Sequence, residues 1–255
     1  MKKLFFTIAV LLYVVAGAYS QKADGEKYTI LLTGASFASP NNGWFELGCR
    51  KLGAVPINRA VGGESVAVAA NKLAEGSLYS REELERIDAL VIMHVHDKDV
   101  YNEKNLKENY TDYQLPFDYS DYPEAYDYLI KRYLSDCYEL RNDTASKYYG
   151  TTAGKPAVII PCTHWHDART TYNASIRKLA EKWGFPLVEF DKYIGFSKQQ
   201  LHPVTKEQTS LIYATGNPQV QDGVAYGWHP QGGENKYIQR RMAATFYNLM
   251  QNILY

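Results

Sequence analysis

The chain has little of what would announce a disulfide scaffold, a nucleic-acid binder or a membrane protein. Its 255 residues hold only three cysteines, Cys49, Cys137 and Cys162. They form an odd set lying in or beside apolar runs, which reads as buried thiols rather than a disulfide framework, although one pair could bond in an oxidising compartment. Lysine and arginine (28) balance aspartate and glutamate (28), and no long basic block occurs. Nothing electrostatic therefore calls for a nucleic-acid partner. No segment after the N-terminal one approaches the roughly 20 apolar residues of a membrane-spanning helix. No motif for an organic cofactor is present, and none is expected.

The N-terminal segment carries a different signal. Met1-Lys2-Lys3 is basic, Leu4 to Val15 is almost wholly apolar, and Ala18-Tyr19-Ser20 offers small residues at cleavage spacing. This is the pattern of a secretory signal peptide over residues 1–20, so the mature chain is expected to be exported, periplasmic or secreted. No linker-like break divides residues 21–255, which read as one domain. The composition is unusual in tyrosine, with 22 residues clustered towards the middle of the chain.

Tyr28 to Gly34 is a short β-branched and apolar run that stops at a glycine, followed by Ala35, Ser36 and a helical pattern from Trp44. That is a strand, a tight turn and a helix start. In a parallel sheet the carboxyl ends of the strands carry the ligand. Ser36 is therefore either a nucleophile awaiting a base or a helix cap, a role open to Ser39 as well. Ala54 to Asn58 predicts a second strand, closed by Gly62-Gly63, which marks a tight turn or a close approach of backbone. Helices are predicted over Val66 to Leu73 and Ser80 to Arg86, the latter opened by a Ser80/Glu83 capping box.

Asp88 to Met93 predicts a buried strand ending in His94-Val95-His96-Asp97, where residues two apart share a face and the two imidazoles project together. Periodicity then vanishes from Lys98 to Pro123. A loop this long and this aromatic is expected to fold over the strand ends, its tyrosines packing the loop or stacking on sugar rings. Glu124 to Leu140 predicts an amphipathic helix. Pro156 to Pro161 predicts the next strand, ending in a second cluster, His164-Trp165-His166-Asp167. A helix through Trp183, a fifth strand over Phe185 to Phe190, an irregular insertion over residues 195–227 and a last helix after His229-Pro230 complete the chain. Five strands alternating with helices imply a three-layer α/β/α sandwich on a five-stranded parallel sheet, of flavodoxin-like type.

Four segments in order, Gly34-Ala35-Ser36, Asn58 to Gly63, His94 to Asp97 and Tyr226-Gly227-Trp228-His229-Pro230, resemble the SGNH (GDSL-type) hydrolase superfamily across the mature chain. The family's motifs there are a Gly-Asp-Ser turn, a glycine after the second strand, a Gly-x-Asn-Asp loop and Asp-x-x-His-Pro. The resemblance implies an exported serine esterase, with Ser36 as nucleophile, His229 as base, and backbone N–H groups of Ser36 and Gly63 on the oxyanion. His96 takes the place of the family's oxyanion-binding asparagine, and His94 that of its glycine. Ala35 replaces the aspartate beside the serine, and Tyr226 stands where the family carries its acid. Asp222 is the nearest upstream carboxylate that could orient His229, with a backbone carbonyl as the alternative. The aromatic, polar insertions suit an acetyl ester on a carbohydrate better than a long-chain lipid. Two further readings stand beside this one: a carbohydrate-binding protein that keeps the fold without the chemistry, and a metal-dependent hydrolase using the two His-x-His-Asp clusters.

Overall fold

The structure, a computed structural model, describes residue 25 and residues 27–94, 101–165, 167–216 and 218–254. The expected signal segment lies outside the described residues. At the centre are four parallel strands, β1 (Tyr28–Gly34), β2 (Ala54–Asn58), β3 (Ala89–Met93) and β4 (Ile159–Pro161), in the order β2-β1-β3-β4. The expected fifth strand is reduced to one parallel bridge between Cys162 and Val188, with Val188 N–H donating to Pro161 O at 3.0 Å and Thr163 N–H to Val188 O at 2.9 Å. Two local features keep it short. Pro186 has no N–H to give to a ladder, and the chain turns into a helical turn at Phe190.

Alternation along β1 and β3 separates two cores. Leu31, Leu90 and Ile92 face α2 (Val66–Ala74), α4 (Tyr122–Glu139) and α5 (Thr170–Trp183), whereas Ile30, Leu32, Val91 and Met93 face α1 (Trp44–Leu52) and α8 (Tyr237–Met250). The three-layer α/β/α arrangement follows from that alternation. Short elements complete the fold: α3 (Arg81–Arg86), α6 (Phe190–Tyr193) and α7 (Thr209–Tyr213), then β5 (Ala214–Thr215), β6 (Gln219–Gln221), β7 (Val224–Tyr226) and β8 (His229–Pro230). β5 pairs with β8 and β6 with β7, each antiparallel.

Local chemistry sets the helix ends. The Ser80 hydroxyl accepts from Glu83 N–H at 3.1 Å while Glu83 accepts from Ser80 N–H at 3.0 Å, the reciprocal cap its sequence predicts. α1 begins instead at Gly43, whose N–H donates to the Glu46 carboxylate at 3.0 Å, and ends at Gly53 in the left-handed region at φ 64°. All three cysteines are buried free thiols. No helix among the described residues is long and apolar enough to cross a membrane.

The tyrosine-rich insertion is chiefly a packing device. Tyr113, Phe117 and Tyr122 are buried, and the Asn71 carboxamide on α2 clamps Phe117 through both its N–H and its C=O at 2.9 Å. Under them lies Asp127, 0 % exposed, which accepts from Tyr113 Oη at 2.7 Å and Trp183 Nε1 at 3.0 Å and pairs with Lys131 at 2.6 Å. Removing one member of such a buried pair strands the other's charge, at a cost of about 3–5 kcal/mol. Asp127→Ala should therefore lower unfolding stability in urea by about that amount, and a loss under 1 kcal/mol, a size typical of surface pairs, would mean the cluster is dispensable.

Candidate active site

Ser36 stands where β1 ends, and the neighbouring backbone leaves that turn little freedom. Ala35 N–H donates to Met93 O at 3.1 Å, Val61 N–H to Gly34 O at 3.0 Å and Arg59 N–H to Leu32 O at 2.8 Å. The turn is thus tied to both flanking strands. A Cβ on Gly34 would lie 2.8 Å from Met93 O, so only glycine allows this closeness. Asn58, at the end of β2, clamps the turn from the other side by donating to Ala38 O at 2.8 Å and to the Glu46 carboxylate at 2.6 Å. Ser36 opens a single 3-10 turn, Ser36–Ala38, and its hydroxyl caps no helix; the cap of α1 is Gly43.

The Ser36 hydroxyl meets His229 instead. Oγ and Nε2 are 2.9 Å apart across 193 residues of sequence. In the tautomer protonated at Nδ1, Nε2 accepts the hydroxyl hydrogen, the geometry that general-base activation of a serine requires. His229 is held as part of β8, with Thr215 as its partner across the antiparallel pair. Beyond it, Gln231 N–H donates to Tyr213 O at 2.8 Å. Packing fixes the ring from below, where Phe37 lies 5.1 Å from His229 and 4.2 Å from Trp165, centroid to centroid. Phe37 and Trp228, next to the two candidate residues in sequence, were not singled out from sequence; they give the dyad its apolar floor and side.

Gly62 and Gly63 lie beside the serine. A Cβ on Gly62 would sit 4.0 Å from Ser36 Cβ, and Gly63 adopts φ 79°, a conformation glycine adopts without strain. Neither N–H makes a hydrogen bond among the described residues, so both remain available as donors. Tyr119, 55 % exposed, reaches this turn from the insertion, its hydroxyl 3.4 Å from Gly63 O.

Two expected participants are placed elsewhere. Asp222 sits at the exposed tip of the β6–β7 hairpin with φ 52°, and no hydrogen bond or ion pair joins it to His229. The hairpin ladder runs away from the dyad, because Tyr226, at the base, pairs with Gln219 while Asp222 is beyond the last pair. His94 is 0 % exposed and stands behind the site, not in it. It continues the inward face of Leu90 and Ile92, so its Nδ1–H donates to Glu64 O at 3.2 Å and its Nε2 accepts from Thr33 Oγ1 at 2.9 Å. His94 thereby braces the carbonyl that follows Gly63. His96, Asp97 and His166 lie outside the described residues. His164 is buried against Phe37 and Trp165, and no group of three or more metal-ligating side chains occurs among the described residues.

Burial, and secondarily the nearby Lys72 charge, lowers the His94 pKa from 6.5 to about 4, against the opposing effect of the Glu64 carbonyl. Between these values the unfolded chain binds a proton that the folded chain refuses. Stability is therefore expected to fall as pH drops from about 6.5 to about 4, by about 3 kcal/mol from this group. Urea unfolding of His94→Gln against the parent should show a flatter pH dependence across that window. Parallel profiles would remove His94 as the source.

The chain matches the profile of a domain of unknown function, DUF5040, over residues 27–254. No curated protein matches it in sequence. One solved structure is similar at 14 % identity with TM-score 0.54, covering 91 % of this chain and 100 % of the other. The psychrotrophic esterase EstA from Pseudoalteromonas sp. is 14 % identical at TM-score 0.43, covering 89 % of this chain and 99 % of its own. A protein from Desulfitobacterium hafniense DCB-2 described as lipolytic and of the G-D-S-L family is 11 % identical at TM-score 0.40, covering 88 % and 99 %. At 14 % identity the similarity to the first of these structures concerns the course of the chain alone.

Proposed function

We propose that this chain, which belongs to the DUF5040 family, is a divergent SGNH (GDSL-type) hydrolase that cleaves a carboxylic ester with Ser36 as nucleophile and His229 as base. One observation carries the reading: the 2.9 Å contact between Ser36 Oγ and His229 Nε2 at the carboxyl end of a central parallel strand. His229 takes the hydroxyl proton as Oγ attacks the ester carbonyl, and the tetrahedral oxyanion is held by backbone N–H groups of Ser36 and Gly63. His96 is the side-chain donor the family resemblance implies. Collapse gives the proton from His229 to the departing alcohol and leaves an acyl-serine. Water, activated by the same imidazole, then releases the acid.

A dyad suffices for these steps, since nucleophile and base are the groups that form and break bonds while an acid only orients the imidazole. We take the natural ester to be an acetyl group on a carbohydrate, met outside the cytoplasm. The polar insertions around the site support this over a lipid, whose acyl chain would need an extended apolar cleft.

The test is turnover of p-nitrophenyl acetate by the mature protein with and without a metal chelator. Activity that ignores the chelator and disappears in Ser36→Ala is the expected result. Activity that survives the substitution and is lost to the chelator would transfer the chemistry to the histidine clusters. No turnover of this or of acetylated oligosaccharides would leave a binding protein.

A further inference from the structure

Trp228, the residue before His229, lines a cavity of about 420 Å³ together with Ala168, Arg169, Gln219, Gln221 and Tyr226. Its size suits a small ligand, and Trp228 is the wall shared with the reacting groups, lying 5.7 Å from Phe37 and 6.4 Å from His229 between ring centroids. The chemistry of the lining is mixed in a specific way. Tyr226 and Trp228 bring aromatic surface, the two glutamines bring carboxamides that both donate and accept, and Arg169 brings a fixed positive charge. The guanidinium carbon lies 4.3 Å from the Trp228 ring centre and 4.9 Å from that of Tyr172, and Nη1 donates to Tyr172 Oη at 3.0 Å. Lys198 adds a second cation at the edge, its Nζ donating to Gln221 Oε1 at 3.2 Å. The neighbouring carboxylate, Asp167, accepts from Ser197 Oγ at 2.6 Å and Lys198 N–H at 2.9 Å, tying the loop that carries Lys198 to the start of α5.

The hairpin turns two carboxamides and a tyrosine to the cavity, with Val224 beside Gln221 on the same face nearer the tip. Its register pairs Gln219 with Tyr226 and Val220 with Ala225, so Gln219, Gln221 and Tyr226 share the cavity face while Val220 points away, 69 % exposed. A wall built to shelter an acyl chain would have the opposite alternation.

We propose that this cavity is a sugar subsite for a ring carrying a carboxylate, a uronic acid, with Arg169 and Lys198 selecting the charge, Tyr226 and Trp228 contacting the ring, and Gln219 and Gln221 its hydroxyls. Guanidinium is the cation suited to planar, two-point recognition of a carboxylate, and its stacking on Trp228 leaves less freedom to lose on binding. The proposal rests on the ester-hydrolase reading only for what happens next door; binding in the cavity is independent of turnover.

Calorimetric titration of Ser36→Ala protein with glucuronate, glucose and acetate tests it. Glucuronate should bind at least tenfold more tightly than either of the others. Arg169→Gln should remove that preference, and Gln219→Glu, a charge placed on an exposed strand where folding is not at stake, should weaken glucuronate at least fivefold without weakening glucose. Equal binding of glucuronate and glucose, binding of acetate as tight as glucuronate, no glucuronate binding, or indifference to both substitutions would each overturn the subsite. Because this protein has no Ser36 hydroxyl, failure of the esterase reading leaves these results standing. Esterase activity in the parent without glucuronate binding would overturn the subsite alone.

Discussion

Ser36→Ala and His229→Ala are each expected to lower kcat for an activated ester by about three to five orders of magnitude, and the double variant to be no worse than the more damaged single one. The physical reason is that Oγ and Nε2 act as one unit. Once the hydroxyl is gone, the imidazole has no proton to take, and without the imidazole the hydroxyl remains protonated at a pKa far above neutral. Ten-thousandfold corresponds to about 5.5 kcal/mol of barrier, far more than one ordinary hydrogen bond supplies. Steady-state kinetics on the three variants checks this, with residual activity in each set by the remaining oxyanion donors. If the two losses multiplied, Ser36 and His229 would be acting on separate steps, and the 2.9 Å contact would be a structural hydrogen bond.

A second large effect is expected where no reacting group is touched. Gly227 is pressed against the first turn of α7 and the residue that follows the helix: a Cβ there would stand 2.0 Å from Ser210 O and 2.4 Å from Ala214 Cβ, while its N–H donates to the buried Ser210 hydroxyl at 3.2 Å. Backbone cannot yield without carrying Trp228 and His229 with it. Gly227→Ala should cost about 1–3 kcal/mol of stability through overpacking and, where the protein remains folded, about a hundredfold in kcat, since a displacement near 1 Å at a reacting group has that size of consequence. Thermal melts and kinetics on the same preparation separate the two. Ser210→Ala, which removes the hydrogen bond without adding volume, should retain most of the activity. A Gly227→Ala protein that melts and turns over like the parent would show that His229 is not positioned through this contact.

The layers of the fold were legible because the periodicity is strong where elements are buried on both sides. Ile30 to Leu32 and Ala89 to Met93 are unbroken apolar runs, and the Ser80 cap states its own helix start. The pairing of Ser36 with His229 was an expectation of the family resemblance carried by four short segments, since no local pattern could reveal a contact spanning 193 residues. Other features depended on tertiary placement. The fifth strand looked complete from composition, yet Pro186 and the turn at Phe190 leave it one bridge. His94 looked like a member of the site because it ends a strand, but the inward face of β3 carries it under the Gly62-Gly63 turn, where Thr33 and Glu64 engage both nitrogens. Asp222 was the nearest upstream carboxylate in sequence, but it sits at the tip of a hairpin whose ladder leads away from His229. Arg169 gave no signal at all. It matters only because the start of α5 and the β6–β7 hairpin close on the same cavity.

The central claim is that the Ser36 hydroxyl is a nucleophile activated by His229, and the most direct measurement is covalent labelling of the protein with a fluorophosphonate, located by peptide mass spectrometry. The account predicts a single adduct on Ser36, absent in Ser36→Ala and formed far more slowly in His229→Ala. A folded protein that hydrolyses p-nitrophenyl acetate yet takes no label, or takes it on another serine, would contradict it.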